Sequence, residues 1–247
     1  MDRKLSGFTN KLHLVMAVPA LLLFGVFFLY PLSKGIGMSL TDWDGMSPAQ
    51  FVGLQNFIDF FHDRRAVRDI LNTVLFAAGS APLLILFGLI YALILDGTFR
   101  GKGIARAIVY LPAVISPLIM GYIWYFILQP GRGYFYQFAE RLGTTFFLGN
   151  WMLDYTSAIA VLVAVNVWQY VGMTMVVFLA GLQSIPQEIQ EMSQIDGAGY
   201  FKRLRYITLP LLMPSIKINV VTNIIGSLSV FDIIMALTEG GPGYATE

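Results

Sequence analysis

Apolar residues in this chain collect into runs too long for the helices of a soluble core, with short polar pieces between them. Five runs reach the roughly 20 helical residues needed to cross about 30 Å of hydrocarbon: 14–32, 73–95, 104–128, 157–182 and 211–237. None shows the alternating pattern of a barrel strand. Lipid offers no water to free N–H and C=O groups, so each run is predicted to be an α-helix that satisfies its own backbone. The first run follows a basic start, "MDRKLSGFTNKLHL", as a secretory signal does. Its apolar stretch is longer than a signal core and no small-x-small cleavage pattern follows "LYPLSKGIGMSL", so it is read as a retained span. The expectation is an all-α integral membrane protein, with residues 1–13 as a cytoplasmic N-terminus and a transmembrane domain over 14–247.

The polar pieces set the orientation. With the N-terminus inside, the cytoplasmic connections hold nine basic residues (Arg3, Lys4, Lys11, Arg100, Lys102, Arg106, Lys202, Arg203, Arg205), and the outer ones six (Lys34, Arg64, Arg65, Arg68, Arg132, Arg141). The inner connections are brief and carry their cations beside the spans, as the positive-inside rule requires. Two outer connections look folded. "TDWDGMSPAQFVGLQNF" has Asp-Gly and Ser-Pro turn signals among Trp43, Phe51 and Phe57. "GRGYFYQFAERLGTTFFLGNW" spaces Tyr and Phe as a short surface helix does. Two readings stay open for them: interfacial aromatics that anchor span ends, or a landing surface for an outside partner.

Composition agrees with a membrane class: 56% of residues are apolar and 13% charged. A net charge of +1 with scattered cations gives no footprint for nucleic acid. The absence of cysteine excludes disulfides and thiolate chemistry. His13 and His62, far apart and without a carboxylate cluster, make no metal site.

One connection stands apart. Residues 188–210, "EIQEMSQIDGAGYFKRLRYITLP", hold six charges between two apolar runs. Each would cost roughly 2.5 to 3.5 kcal/mol at mid-bilayer, so the segment lies outside lipid. "SIPQEIQEMSQI" reads as a helix start, with Ser184 as N-cap, Pro186 in the first turn and Glu188 near the positive end. "DGAG" breaks it, Gly197 and Gly199 permitting turns or close approach, and "YFKRLRYITLP" resumes a helix before the last run. The result is a polar knob over 183–210, held between two spans.

The spacing of this knob resembles the signature of the inner-membrane permease subunits of binding-protein-dependent ABC importers: Glu-Ala-Ala, three residues, Gly, nine residues, Ile, one residue, Leu-Pro. Here Glu191 is followed by Gly197, Ile207, Leu209 and Pro210 at that spacing, with Met192 and Ser193 in place of the two alanines. "TDWDG", "FVGLQNF", "LPAVISP" and "LTEGGP" further resemble the carbohydrate-uptake branch, the maltose and glycerol-phosphate permeases. The resemblance implies a type I ABC importer permease fold (methionine-importer-like) with six spans. Five are present, so a chain truncated before a sixth span is expected. It also implies a bacterial or archaeal inner-membrane location, an ATPase subunit dimer, a second permease subunit (identical or different) and an extracytoplasmic solute-binding protein as partners besides lipid, and coupling to the ATPase through Glu191, Asp196, Gly197, Ala198, Leu209 and Pro210. No G-x-x-x-x-G-K-[ST] occurs, so this chain is expected to hold no cofactor, with ATP and magnesium on the partner ATPase.

Polar residues inside the runs mark a candidate path. Asn219, Asn223, Gly226, Ser227 and Val230 share one face of the fifth run, and Asn166, Tyr170 and Met173 one face of the fourth. Asn166, Tyr170, Met173, Asn223 and Ser227 resemble path-facing positions of sugar permeases, and amides, hydroxyls and aromatic faces suit a sugar; equally, Asn and Ser bond neighbouring helices. Asp232 and Lys217 lie within about two turns of a span end and can reach an interface by snorkelling, so neither is read as a proton relay. Pro112, Pro117 and Gly121 permit a kink or close packing, or a hinge. A secondary transporter or channel is the alternative function, but it has no use for the charged knob. A membrane enzyme would need a catalytic constellation, and none assembles; a structural assembly factor leaves the spacing unexplained.

Overall fold

The computed structural model describes residues 15–143, 155–241 and 246, and the regular structure among them is helical apart from one antiparallel bridge between Thr41 and Phe51. The chain divides into two compact units, 1–67 and 68–247.

In the first unit, α1 (Val15–Met38) is apolar on every side and no residue in it is buried. It loosens into a π-helical turn over Gly25–Leu29, beside stacked Phe24 and Phe28 with ring centres 4.9 Å apart. The connection after it is folded, as the turn signals predict. Val52 N–H donates to Leu40 C=O (2.9 Å) and Asp42 N–H to Gln50 C=O (3.0 Å). At the turn, Asp44 Oδ1 accepts the N–H groups of Met46 and Ser47 and the Ser47 hydroxyl, while Gly45 takes φ +92°. Its bonds from Ser47, backbone before side chain, and from Met46 hold the exposed Asp44 carboxyl at about 2, below its ordinary 3.8. A lowered carboxyl contributes stability above the unfolded value and loses it as pH falls through the folded one. Protection of the Met46 and Ser47 amides, corrected for intrinsic exchange, is therefore expected to hold from neutral pH down to about 4 and to vanish towards pH 2. Hydrogen exchange checks this, with Asp44→Asn as the acid-insensitive comparison. A short helix, α2 (Gln55–His62), follows Gly53 at φ +63°.

Asp63 then starts α3 (Arg64–Leu95), its Oδ1 accepting Arg65 N–H at 2.8 Å. At 32 residues, or about 48 Å, α3 begins well before the apolar run at 73, because a helix continues past hydrocarbon wherever its outward side chains suit water. The Arg106 guanidinium donates to Leu95 C=O at 2.7 Å and satisfies one of the last carbonyls of α3.

The third apolar run is not the single helix expected over 104–128. It forms α4 (Lys102–Tyr110), which tightens into a 3₁₀ turn through Val114, and α5 (Pro117–Leu128), with 97° between the two halves. Pro117 supplies no N–H and pushes Ser116 into extended backbone, ψ 134°. The kink reading of the prolines thus holds. Gly121 serves close packing too, since a Cβ there would stand 2.5 Å from the Ala236 Cβ. A short α6 (Tyr134–Arg141) occupies the place predicted for a surface helix; the rest of that connection, 144–154, lies outside the described residues.

Helix α7 (Tyr155–Gln183) is the axis of the second unit, with buried residues around its whole circumference. Its neighbours approach through missing side chains. A Cβ on Gly88 of α3 would meet Thr174 Cγ2 at 2.5 Å; one on Gly172 would strike Val109 O and the Tyr110 Cα; one on Gly181 would strike Ser215 and Leu212. Phe76, Leu84, Leu162, Val171 and Ile233 form one core cluster along this axis, and Ala92, Met175, Phe178, Leu182 and Leu212 another.

The chain leaves α7 through α8 (Gln187–Ile195) and α9 (Tyr200–Leu211), the latter with a π-helical turn over Leu204–Thr208, then bends by 68° into α10 (Met213–Leu228). The fifth run, expected as one helix over 211–237, is also divided. α10 stops at Leu228, and α11 (Asp232–Thr238) begins after Phe231, whose φ of −135° leaves the helical region. Asp232 sits in the first turn of α11, where a carboxylate faces the positive helix end. Among the described residues, three helices are long and apolar enough to span a membrane, and five if each bent pair is one span.

Candidate functional site

Where α7, α10 and α11 meet the start of α5, they enclose a cavity of about 440 Å³. All five path positions read from the sequence line it: Asn166, Tyr170 and Met173 from α7, Asn223 and Ser227 from α10. Helical spacing brings them together, for 166, 170 and 173 fall on one face, as do 219, 223 and 226. The rest of the wall includes Pro117, Val177, Ile218, Phe231 and Asp232, so amides and hydroxyls punctuate an apolar surface with aromatic faces at Tyr170 and Phe231.

Hydrogen bonds show that part of the wall is also glue. Thr174, which patterning missed, ties the helices together. Its hydroxyl and the Asn223 amide bond each other at 3.2–3.3 Å, and its C=O accepts Asn219 Nδ2 at 3.4 Å. Gly88 lets α3 press on the same residue. Asn219, 1% exposed, is thereby a helix–helix bond. Ser227 is buried, and its hydroxyl has no partner among the described residues. Asp232 is exposed and also lines the cavity. The signal that could have exposed Thr174 is its place one residue after Met173, on the edge of the predicted stripe.

Beside the cavity, Gln169 is fully buried and its Nε2 donates to Ile115 C=O at 3.1 Å. That carbonyl lies at the α4–α5 break, so one side chain of the central helix satisfies an acceptor that the bend leaves open.

The polar knob forms a second constellation. Pro186, not Ser184, is the N-cap of α8; the Ser184 hydroxyl turns back to Gly181 C=O at 2.7 Å. A proline has no N–H to leave unsatisfied at a helix start, and Ser184 lies two residues before the N-cap position, too early to cap the first turn. Glu188 occupies the first turn, as expected. Glu191 is exposed and accepts Gln187 Nε2 at 2.6 Å. Ser193, where the signature has alanine, is buried with its hydroxyl satisfied by Gln190 C=O at 2.6 Å, so the small side chain keeps the packing of alanine.

Asp196 ends α8, and Gly197 (φ +75°) reverses the chain. Gly197 N–H donates to Gln194 C=O and Ala198 N–H to Ser193 C=O, both at 3.0 Å, which is a Schellman closure. Gly199 is extended and is the N-cap of α9. Leu209 and Pro210 form its last turn, next to fully buried Leu212 at the bend into α10. A groove of about 750 Å³ runs between α8 and the end of α3, with Asp96, Thr98, Gln187, Gln190 and Glu191 on its walls. Asp96, which terminates the second apolar run, was not singled out from the sequence.

These features define a multi-pass membrane transport subunit with a largely apolar cavity, studded with amides and hydroxyls, among its spans and a polar elbow between two of them. The chain belongs to the family of binding-protein-dependent transport system inner membrane components, which matches residues 61–246. It is 36% identical to the trehalose/maltose transport system permease protein MalF of Thermococcus litoralis, over 100% of this chain and 83% of that one. It is 33% identical to the sn-glycerol-3-phosphate transport system permease protein UgpA of Yersinia enterocolitica, again over 100% and 83%. A bacterial alginate ABC transporter, solved in complex with an alginate pentasaccharide-bound periplasmic protein, shares the fold with a TM-score of 0.81, at 24% identity over 96% of this chain and 79% of that one. The chain is a permease subunit of an ABC importer and is not itself an enzyme.

Proposed function

We propose that this subunit forms the translocation path for a sugar or a related polyol or glycerol-phosphate-like solute, and that a separate ATPase drives it through the α8–α9 elbow. The carrying observation is the convergence of Asn166, Tyr170, Met173, Asn223 and Ser227 on one cavity. Amides and hydroxyls pair with sugar hydroxyls, and an aromatic face suits the apolar face of a ring. The named functions of the Thermococcus and Yersinia relatives, both for hydroxyl-rich solutes, support this class. A solute-binding protein delivers the solute from outside, a second permease completes the path, and ATP with magnesium resides on the ATPase dimer. The N-terminus lies in the cytoplasm of a bacterial or archaeal cell, which puts the elbow on the ATPase side.

The electrostatics of the elbow favour a basic partner. Asp196 sits at the negative end of α8, where a carboxylate is disfavoured by roughly 0.3 to 1 kcal/mol. A cation from the ATPase beside Asp196 would relieve this, and one entering the groove would meet Glu191 and Asp96 on its walls.

Uptake into vesicles is expected to require ATP and the purified ATPase; uptake driven by a solute or ion gradient alone would overturn the proposal. Within the cavity, Asn166→Leu is expected to raise the solute concentration for half-maximal uptake by about twofold to tenfold, the loss of one neutral hydrogen bond of roughly 0.5 to 1.5 kcal/mol. Unchanged half-saturation in the assembled complex would remove Asn166 from the path.

A further inference from the structure

Helix α2 divides cleanly by polarity. At 100° per residue, Phe60, Phe57, Phe61 and Ile58 fall within an arc of about 160°, and His62, Gln55, Asp59 and Asn56 occupy the remainder. The polar arc is already satisfied: Gln55 Nε2 donates to Asp59 Oδ1 at 2.8 Å, His62 Nδ1 lies 2.7 Å from Ile58 C=O, and Asn56 Nδ2 donates to the carbonyls of Ser39 (2.9 Å) and Thr41 (2.7 Å). Among the described residues the apolar arc is largely exposed, with Phe57 43%, Ile58 49%, Phe60 44% and Phe61 66% accessible.

The Asn56 bonds fix the depth of this arc. Ser39 is the C-cap of α1. The 24 residues of α1 extend about 36 Å, somewhat more than the hydrocarbon thickness, so its end lies at the bilayer boundary. Pairing of Val52 with Leu40 and of Asp42 with Gln50 folds the connection back on itself and returns α2 to that level. The sequence then passes through Asp63 into Arg64 at the start of α3, a cation close to the level of the headgroups before the next apolar run. An exposed aromatic arc at this depth, beside Arg64, matches the chemistry of a bilayer interface.

We infer that α2 is a membrane-interface helix whose Phe57, Phe60, Phe61 and Ile58 rest in the headgroup–acyl boundary of a phospholipid surface, at the membrane face where α1 ends. The inference depends on α1 spanning the bilayer and not on the solute or on coupling.

The absence of native cysteine makes the test direct. Single cysteines at positions 55, 57, 59 and 61 of the full-length subunit carry nitroxide labels, in its transporter complex reconstituted in phosphatidylethanolamine–phosphatidylglycerol vesicles. Collision with dissolved oxygen is compared with collision with a water-soluble nickel chelate. The labels at 57 and 61 are expected to show an oxygen-to-nickel ratio at least several-fold above those at 55 and 59. Nickel access at 61 equal to that at 59 would show a water-facing helix and overturn the proposal. Low access of both reagents at 57 and 61 would show a protein cover and overturn it equally. Should labelling disturb the fold, Phe61→Trp gives a second reading. Quenching by acyl chains brominated near the headgroup is expected to exceed that of the unsubstituted protein, and its absence would count against the lipid assignment.

Discussion

Glu191→Lys is expected to weaken docking of the ATPase subunit by roughly tenfold to a hundredfold and to lower transport in step, while the permease itself folds normally. The carboxylate is exposed and held in place by the Gln187 amide at 2.6 Å, on a helix closed at one end by Pro186 and at the other by the Gly197 reversal. Such an acceptor offers a charge-assisted bond of about 1.5 to 3 kcal/mol to a basic partner, and lysine replaces that attraction with repulsion. Lysine is a good helix former, so α8 survives and the loss falls on docking rather than on fold. Co-purification of the ATPase and the unfolding temperature of the detergent-solubilised subunit distinguish the two. Gln187→Ala, which removes only the internal bond, is expected to have the smaller effect. Wild-type transport by Glu191→Lys with normal ATPase association would refute the role.

The elbow was legible in the sequence because it is built from local rules. Charges exclude it from lipid, Gly197 must take a positive φ, and the interval from Glu191 to Pro210 is set within one stretch of chain. The cavity stripe was legible for a related reason: helical period places 166, 170 and 173, or 219, 223 and 227, on nearly the same face whatever the helix packs against. Hydropathy failed where it averages. A run of apolar residues records that a segment prefers lipid but not that its backbone turns within it, so the breaks at Ser116 and at Ser229–Phe231 were invisible to span counting, although Pro117 and Asp232 mark both. Tertiary partners were missed as well. Thr174 is an ordinary hydroxyl in an apolar run until Gly88, Asn219 and Asn223, 86, 45 and 49 residues away, converge on it.

That convergence gives Thr174, Asn219 and Asn223, all on the cavity wall, a second role between helices. Asn219 and Thr174 spend their bonding on other helices, and each such bond in a membrane contributes about 0.6 kcal/mol on average. Their replacement should loosen the bundle before it alters solute choice. Asn166 lines the same cavity but stands outside the Thr174–Asn219–Asn223 cluster, and is the better reporter of recognition.

The largest effect on stability is expected from Gly172→Ala. A methyl group there would collide with Val109 O and approach the Tyr110 Cα at 2.6 Å, and both are backbone atoms that cannot turn aside as a side-chain tip would. Either α7 or α4 must move, and overpacking of this kind typically costs about 1 to 3 kcal/mol and occasionally more. The displacement would not stay local. α4 leads into the 97° bend, whose Ile115 carbonyl is held by Gln169 three residues before Gly172, and Pro117 beyond the bend lines the cavity. Gly172→Ala should therefore lower the unfolding temperature and also reduce transport per assembled complex. Gly35→Ala in α1 is the control: nothing lies within 4 Å of the added carbon, and alanine favours a helix by up to about 1 kcal/mol over glycine, so its stability should be unchanged or slightly raised. Equal unfolding temperatures for the two variants would show that contact between α4 and α7 through Gly172 does not hold the bend in place.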